Sequence, residues 1–103
     1  MNRITFACAV AVATAFALPA SANEKLAASS GCMTCHGIDK KVIGPAFKDV
    51  GAKYKGNKAA EADLFKKVKG GSVGAWGNIP MPPNPQVKDE DVKTLVQWIL
   101  AQQ

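Results

Sequence analysis

The segment Cys32-Met-Thr-Cys35-His36 is the strongest constraint on what this chain can fold into. Two thiols separated by two residues and followed at once by an imidazole form the attachment pattern of a c-type haem. Each thiol can add across one vinyl group on the same edge of the porphyrin, and the next residue then directs a ring nitrogen at the iron. The motif therefore predicts one covalently attached haem c, with Cys32 and Cys35 as its attachments and His36 as an iron ligand.

Three other uses of these residues are weaker. A redox-active dithiol has the same Cys spacing, but usually at a helix start within a βαβ unit, and no strand-like run flanks Cys32. A structural zinc site usually has four Cys or His ligands, more than the chain offers beyond its N-terminal leader. A disulfide between Cys32 and Cys35 would close too small a loop to stabilise much. The redox dithiol is the main alternative to haem attachment.

Residues 1–22 are predicted to be a cleaved signal peptide. A positive charge near the start is followed by an apolar run from Ile4 to Leu18, and Ala20-Ser21-Ala22 is a small-residue cleavage site. The run is shorter than the roughly 20 residues of a membrane-spanning helix, which disfavours an uncleaved anchor. Cys8 would leave with the leader. We expect residues 23–103 to form one domain in the bacterial periplasm, without stable membrane insertion.

The predicted mature chain is small and basic. A domain of this size seldom buries a sufficient core alone, and a haem at its centre would supply apolar surface. Residues 23–103 contain twelve lysines, no arginine and eight acidic residues, a formal charge of +4. Nucleic-acid binding is disfavoured because arginine and a basic stripe interleaved with aromatics are both missing. Scattered lysines most often only solubilise a surface, and the more specific interpretation is a basic rim for an acidic redox partner.

Apolar residues at helical spacing predict four helices, and nothing alternates with the period of a strand. The clearest helix runs from Asp89 to about Gln102, with an apolar stripe on one face and acidic residues in its first turn, although Lys88 is a poor N-cap. The other three predicted helices are Glu24–Ser30, Ala46–Tyr54 and Ala59–Lys69. The predicted fold is all-α, with about four helices around one haem.

An irregular loop from Gly70 to Pro85 contains four glycines and four prolines, and so long a loop in a small domain is usually functional. The second axial ligand could be a methionine sulfur, a lysine amine, a chain terminus or a second imidazole, but the chain has one His. Met33 lies in the attachment segment, on the wrong side of the porphyrin. A loop methionine ordinarily fills a gap in the core. Here we expect Met81 to bind the iron, which leaves no open position and favours electron transfer over catalysis.

Several segments together resemble a known family. The Cys32–His36 motif, the Ile43–Ala46 turn, Trp76-Gly77 and Pro80-Met81-Pro82-Pro83-Asn84 are similar to the short bacterial class I cytochromes c. The resemblance is to the cytochrome c-551 type and covers essentially all of residues 23–103. It implies a class I cytochrome c fold that carries one haem c.

The resemblance also implies roles for single residues. His36 and Met81 would be the axial ligands, and the carbonyl of Pro45 would accept the Nδ1 proton of His36. Nε1 of Trp76 would bond a buried propionate, and Asn84 would steady the Met81 side. Pro45 could equally serve as the first residue of a helix and Trp76 as a core aromatic.

Two positions depart from the family pattern. Lys67 stands where relatives can carry an arginine near a propionate, and a lysine cannot reproduce the bidentate geometry of arginine. The stretch 85–88 is one residue longer than in close relatives and lacks their Ser cap. The first departure is expected to affect the reduction potential, and the second the loop before the last helix.

The resemblance implies an electron carrier rather than an enzyme, expected to be a monomer. Its donor would be a membrane quinol-oxidising complex, and its acceptor a haem nitrite reductase, a cytochrome c peroxidase or a terminal oxidase. The exposed haem edge, ringed by lysines such as Lys25, Lys40 and Lys41, would dock weakly. One alternative is a permanently bound haem subunit of a dehydrogenase complex, which would need a large apolar patch. The other is a haem peroxidase or gas sensor, which would need an open iron position.

Overall fold

A computed structural model describes residues 20–103 of the chain, with side chains described from Asn23 onwards. Four α-helices and one short 3₁₀ turn, Cys32–Thr34, account for the regular structure of these residues, which contain no named strand. The helices are α1 (Ala20–Ser29), α2 (Phe47–Lys53), α3 (Ala60–Gly70) and α4 (Asp89–Leu100). The prediction of an all-α fold is confirmed. The predicted signal peptide, including Cys8, lies outside the described residues except for the last three positions, which begin α1.

Helix α4 is the centre of the packing because its apolar stripe contacts each of the other three helices. Val92, Leu95 and Val96 are at most 1% exposed. The helix begins at Asp89 as predicted, although the side chain of Lys88 makes no capping hydrogen bond. The three acidic residues of its first turn offset this missing cap through the helix dipole.

Helices α2 and α3 are close to their predicted extents, and glycines set how near they approach their neighbours. Gly51 of α2 faces the end of α4, where an added β-carbon would lie 2.2 Å from the carbonyl oxygen of Gln102. Helix α3 ends where Gly71 takes a φ of +83°, a conformation that glycine adopts without strain. The two helices therefore pack closely around α4 and leave a cavity between α2, α3 and the loop that follows.

Helix α1 begins earlier than predicted, at Ala20 rather than Glu24. Residues 20–23 are Ala-Ser-Ala-Asn and include neither proline nor glycine, so nothing in these four positions stops the helix from extending towards the N-terminus. Within residues 20–103, no helix is long and apolar enough to cross a membrane.

Candidate haem-binding site

The Cys32–His36 segment forms a tight turn directly after α1. Gly31 allows the turn with a φ of +84°, and the amide groups of Cys35 and His36 both donate to the carbonyl of Cys32, at 3.2 and 3.0 Å. The turn brings Cys32, Cys35 and His36 to the wall of one cavity. The three residues of the motif that could hold a haem therefore lie together at one side of the cavity.

Both cysteines are half-buried, and neither forms a disulfide among the described residues. Burial raises the pKa of the Cys32 thiol, and the neighbouring Cys35 raises it further, against an opposing backbone hydrogen bond. Both sulfur-bearing residues line the cavity wall, where covalent attachment needs them.

The imidazole of His36 is fixed by its surroundings. Nδ1 lies 2.7 Å from the carbonyl oxygen of Pro45. Because a carbonyl can only accept, Nδ1 carries the proton and Nε2 keeps its lone pair for a metal. The ring also stacks on Phe47, with centroids 5.0 Å apart and planes inclined by 21°. These two contacts fix the orientation of the ring and leave Nε2 as the nitrogen that can bind a metal.

The chain between His36 and α2 returns to the attachment turn. The amides of Ile43 and Gly44 both donate to the carbonyl of Cys35, at 3.1 and 2.7 Å. This return presses the backbone of Gly44 against the imidazole, where a β-carbon would lie 2.6 Å from Cε1 of His36. Only a residue without a side chain fits there unless the ring moves.

Met81 lies on the loop between α3 and α4, and backbone contacts hold it in place. Ser72 and Met81 exchange two hydrogen bonds, from Ser72 N to Met81 O at 3.0 Å and from Met81 N to Ser72 O at 2.8 Å. Gly71 lets the two segments of the loop approach each other, since a β-carbon there would lie 2.8 Å from the carbonyl oxygen of Met81. Met81 is half-buried and lines the same cavity as His36.

Asn84 holds the other end of this loop against α3. Its backbone amide donates to the carbonyl of Val68 at 2.9 Å. Its side-chain Nδ2 donates to the carbonyls of Val68 and Pro82, at 3.3 and 3.2 Å. The Asn84 side chain is thus engaged with backbone, and Asn84 does not line the cavity.

The cavity has a volume of about 420 Å³, within the range of binding sites for small cofactors. Its wall combines the residues predicted to attach or bind a haem with a largely apolar lining from α2, α3 and α4. The apolar wall residues of these helices are Phe47, Val50, Leu64, Val68, Val96 and Ile99. Two thiols, a thioether and an imidazole in an apolar cavity are the donor set that suits a covalently attached haem.

Two other predicted residues have distinct environments. Trp76 lines the cavity and remains 42% exposed. Met33, which the sequence analysis placed on the wrong side for ligation, lines a separate shallow groove beside Glu24. Of the two methionines in residues 23–103, Met81 therefore lines the cavity and Met33 lies on a different surface.

One polar network at the cavity wall had not been predicted from the sequence. Nζ of Lys67 donates to the hydroxyl of Tyr54 at 2.9 Å and pairs with Asp63 at 3.1 Å. The hydrogen bond to Tyr54, followed by the one to Asp63, raises the pKa of the Lys67 ammonium. The Asp63 pair has the i, i+4 helix spacing and could have been found from the sequence, whereas the Tyr54 contact joins two helices and had no such signal.

The contacts of Lys53 were not predicted from the sequence either. Its Nζ donates to the carbonyl of Ala75 at 3.1 Å and lies 4.5 Å above the ring centroid of Trp76. No spacing rule connects residues so far apart in the chain. The contact became visible only when α2 and the Met81 loop were placed side by side.

Comparison with proteins of known type gives matches over the described residues. The family model described as Cytochrome c matches residues 20–103. Cytochrome c-551 of Pseudomonas aeruginosa is 52% identical over 79 residues, covering 77% of this chain and 75% of that protein. Cytochrome c-552 of Nitrosomonas europaea is 50% identical over 82 residues, covering 80% of both.

Solved structures give the same result for the fold. The crystal structure of wild-type Nitrosomonas europaea cytochrome c552 has a TM-score of 0.76 and 49% identity, covering 78% of this chain and 99% of that one. Class 1 cytochrome MtoD from Sideroxydans lithotrophicus has a TM-score of 0.68 and 33% identity, covering 84% of this chain and 98% of that one.

Proposed function

This chain belongs to the cytochrome c family as a small electron carrier with a single haem c held through its two motif cysteines, and on that premise we propose how it binds its iron and where it works. His36 and Met81 are the two axial ligands, and the carrier moves single electrons in the periplasm. A haem bound at this site supplies reversible one-electron chemistry, and the chain supplies attachment, ligands and a docking surface.

One observation carries the proposed ligation: the oriented imidazole of His36 and the thioether of Met81 line the same apolar cavity as both attachment thiols. Methionine and histidine together raise the reduction potential relative to two histidines. With both axial positions filled, dioxygen and peroxide have no place to bind. The proposal therefore favours electron transfer over the peroxidase and gas-sensor alternatives.

Replacement of Met81 tests the ligation. We expect Met81→Ala to abolish the weak red absorption band of the sulfur–iron bond in the oxidised protein, and to let carbon monoxide bind the reduced protein. The matched control is Met33→Ala, because Met33 lies on a separate surface. A red band that survives Met81→Ala, or carbon monoxide binding by the unaltered reduced protein, would contradict the proposal.

Three further residues are proposed to support the ligands. The Pro45 carbonyl at 2.7 Å from Nδ1 would strengthen the donation of His36 to iron. Asn84 would hold the Met81 loop to α3 through the Val68 carbonyl. Trp76, at the exposed edge of the cavity, has an indole N–H that would donate to a propionate.

The carrier is proposed to dock through the mouth of the cavity. Ile43 and Ile79 are half or more exposed there, and Lys41 lines the same opening beside exposed Lys40. Neither lysine takes part in an ion pair among residues 23–103. An apolar centre with cations beside it suits a brief encounter with an acidic partner, to which exposed Lys25 would add charge.

Salt dependence tests this docking. We expect the second-order rate of electron transfer with an acidic redox partner to fall as ionic strength rises, because salt screens exposed charges. The double change Lys40→Gln and Lys41→Gln should lower the rate at low salt and flatten its salt dependence. Lys93→Gln, an exposed residue of α4 that does not line the cavity, is the control. A rate that is independent of salt would remove electrostatic docking from the proposal.

The cellular setting is proposed from the leader and the family. Residues 1–22 direct export and are removed after Ala22, which leaves residues 23–103 as a monomeric carrier in the periplasm. A quinol-oxidising complex would reduce it, and a haem nitrite reductase, a cytochrome c peroxidase or a terminal oxidase would oxidise it.

A further inference from the structure

The loop that carries Met81 is attached unevenly to the rest of the protein. The Ser72–Met81 backbone pair closes it on itself, and Asn84 ties its far end to α3. The loop tip, which lies between Ser72 and Met81, has little packing of its own. Val73 is 75% exposed and Ile79 is 67% exposed. Nothing in these contacts connects the tip with α2, on the opposite side of the cavity.

Lys53 makes that connection. It lies in the last turn of α2, and its Nζ donates to the carbonyl of Ala75 in the loop tip at 3.1 Å. Among the described residues, this is the one hydrogen bond between α2 and the loop tip. The same ammonium lies 4.5 Å from the ring centroid of Trp76 and 5.8 Å from that of Tyr54.

These contacts favour one position of the lysine. The ammonium sits over an aromatic face, where the ring quadrupole attracts a cation. It also lies at the carboxyl end of a helix, where the dipole favours positive charge. A hydrogen bond to a charged donor is stronger than one between neutral groups. One side chain thus holds two neighbouring residues, Ala75 and Trp76, of a loosely packed segment.

We propose that Lys53 is a latch that holds residues 74–79 closed over the cavity and so limits how fast a small external ligand replaces the thioether of Met81. Lys53 touches neither the iron ligands nor the attachment thiols. It is a positioning residue that acts through Ala75 and Trp76 on the loop. The inference rests on the proposed ligation by Met81, and its test separates the two.

The test uses the haem-loaded oxidised protein and imidazole as the external ligand. The rate at which imidazole abolishes the red sulfur–iron band is measured by rapid mixing at saturating imidazole. We expect Lys53→Met to raise this rate about 5- to 30-fold, the factor that corresponds to one or two kcal/mol of lost contacts. Lys53→Arg keeps a cation for the ring and a donor for the carbonyl, and should stay near the original rate.

A neighbouring lysine provides the matched control. Lys55 is exposed and makes no side-chain hydrogen bond or ion pair among the described residues, so Lys55→Met should leave the rate unchanged. If Lys53→Met and Lys55→Met give the same rate, the latch is wrong. A red band that is missing from the unaltered protein would instead overturn the ligation by Met81.

Hydrogen exchange provides a readout that needs no added ligand. The amides of Ser72 and Met81 are protected by their mutual pair, and we expect Lys53→Met to speed their exchange by the same factor as the imidazole reaction. Amides in the middle of α4, such as that of Val96, should not change. Equal acceleration of the α4 amides would mean a general loss of stability and would overturn the latch.

Discussion

At the scale of single residues, Gly44 shows how the site depends on a missing side chain. A β-carbon there would lie 2.6 Å from Cε1 and 2.9 Å from Nδ1 of His36, closer than real β-carbons come to other atoms. The backbone cannot easily withdraw, because the Gly44 amide is held at 2.7 Å by the carbonyl of Cys35. Any side chain at this position must therefore displace the imidazole from the Pro45 carbonyl.

We expect Gly44→Ala to lower the free energy of unfolding of the haem-loaded protein by about 1–3 kcal/mol, the usual cost of overpacking. Gly70→Ala is the control, because nothing lies within 4 Å of a β-carbon at Gly70. That change should be neutral or raise the free energy of unfolding by about 0.4–1 kcal/mol. Denaturant titrations measure both, and an equal loss from the two changes would contradict the steric argument.

The sequence predicted the chemistry of the site better than its contacts. Cys32, Cys35 and His36 were predicted because haem attachment demands fixed residue types at fixed spacing. Met81 was predicted by elimination, and all four residues line one cavity. Lys53 carried no such signal, since its contacts depend on how α2 faces a loop far along the chain. Long-range polar contacts follow from packing, and a single sequence does not encode packing in a local pattern.

At the scale of elements, periodicity located the helices and missed their ends by one to a few residues. Helix α4 begins at the predicted Asp89 because three acidic residues mark its first turn, and it ends at Leu100, two residues short of the prediction. Helix α1 extends back to Ala20, because a run of small helix-compatible residues has no stop signal. Boundaries were predicted well where charge or glycine marks them and poorly elsewhere.

The Lys67–Tyr54 hydrogen bond joins α3 to the end of α2, and its charge makes it sensitive to pH. Folding raises the pKa of Lys67, mainly through Tyr54 and then through Asp63. The stabilisation from this cation is therefore complete below the ordinary lysine pKa of about 10.4 and is lost as pH rises through the higher folded value.

We expect Tyr54→Phe to lower the pKa of Lys67, measured by an NMR titration of its side-chain nitrogen. Asp63→Asn should lower it less, because the Tyr54 hydrogen bond is the larger cause. A larger change from Asp63→Asn, or none from Tyr54→Phe, would contradict this expectation. It would show that the ion pair with Asp63 within α3, rather than the contact between α2 and α3, determines the pKa of Lys67.

At the scale of the whole molecule, the fold is a shell of helices around a site for its own cofactor. An apolar cavity of about 420 Å³ left empty would cost at most on the order of 10 kcal/mol at about 24 cal/mol per Å³, an upper figure because its mouth is open to water. That figure is comparable to the whole stability of a small domain, about 5–15 kcal/mol. The packing of the helices alone therefore provides too little stability to offset the cost of the empty cavity.

We therefore expect the chain without attached haem to lack fixed tertiary packing. Its near-UV circular dichroism should lose the signals of Trp98 and Phe47, whose rings pack edge to face at 5.3 Å in the folded protein. The haem-loaded protein under the same conditions is the control. A native near-UV spectrum from the haem-free chain would show that the helical core is sufficient by itself.

The Ser72–Met81 backbone pair also affects how an external ligand would compete with the thioether of Met81 for the iron. If Met81 binds the iron as proposed, the pair would keep the thioether close to the site even when it is not bound, as an intramolecular competitor. Short tethers give effective concentrations in the millimolar range. A foreign ligand of equal intrinsic affinity would then have to reach millimolar levels before it displaced the thioether.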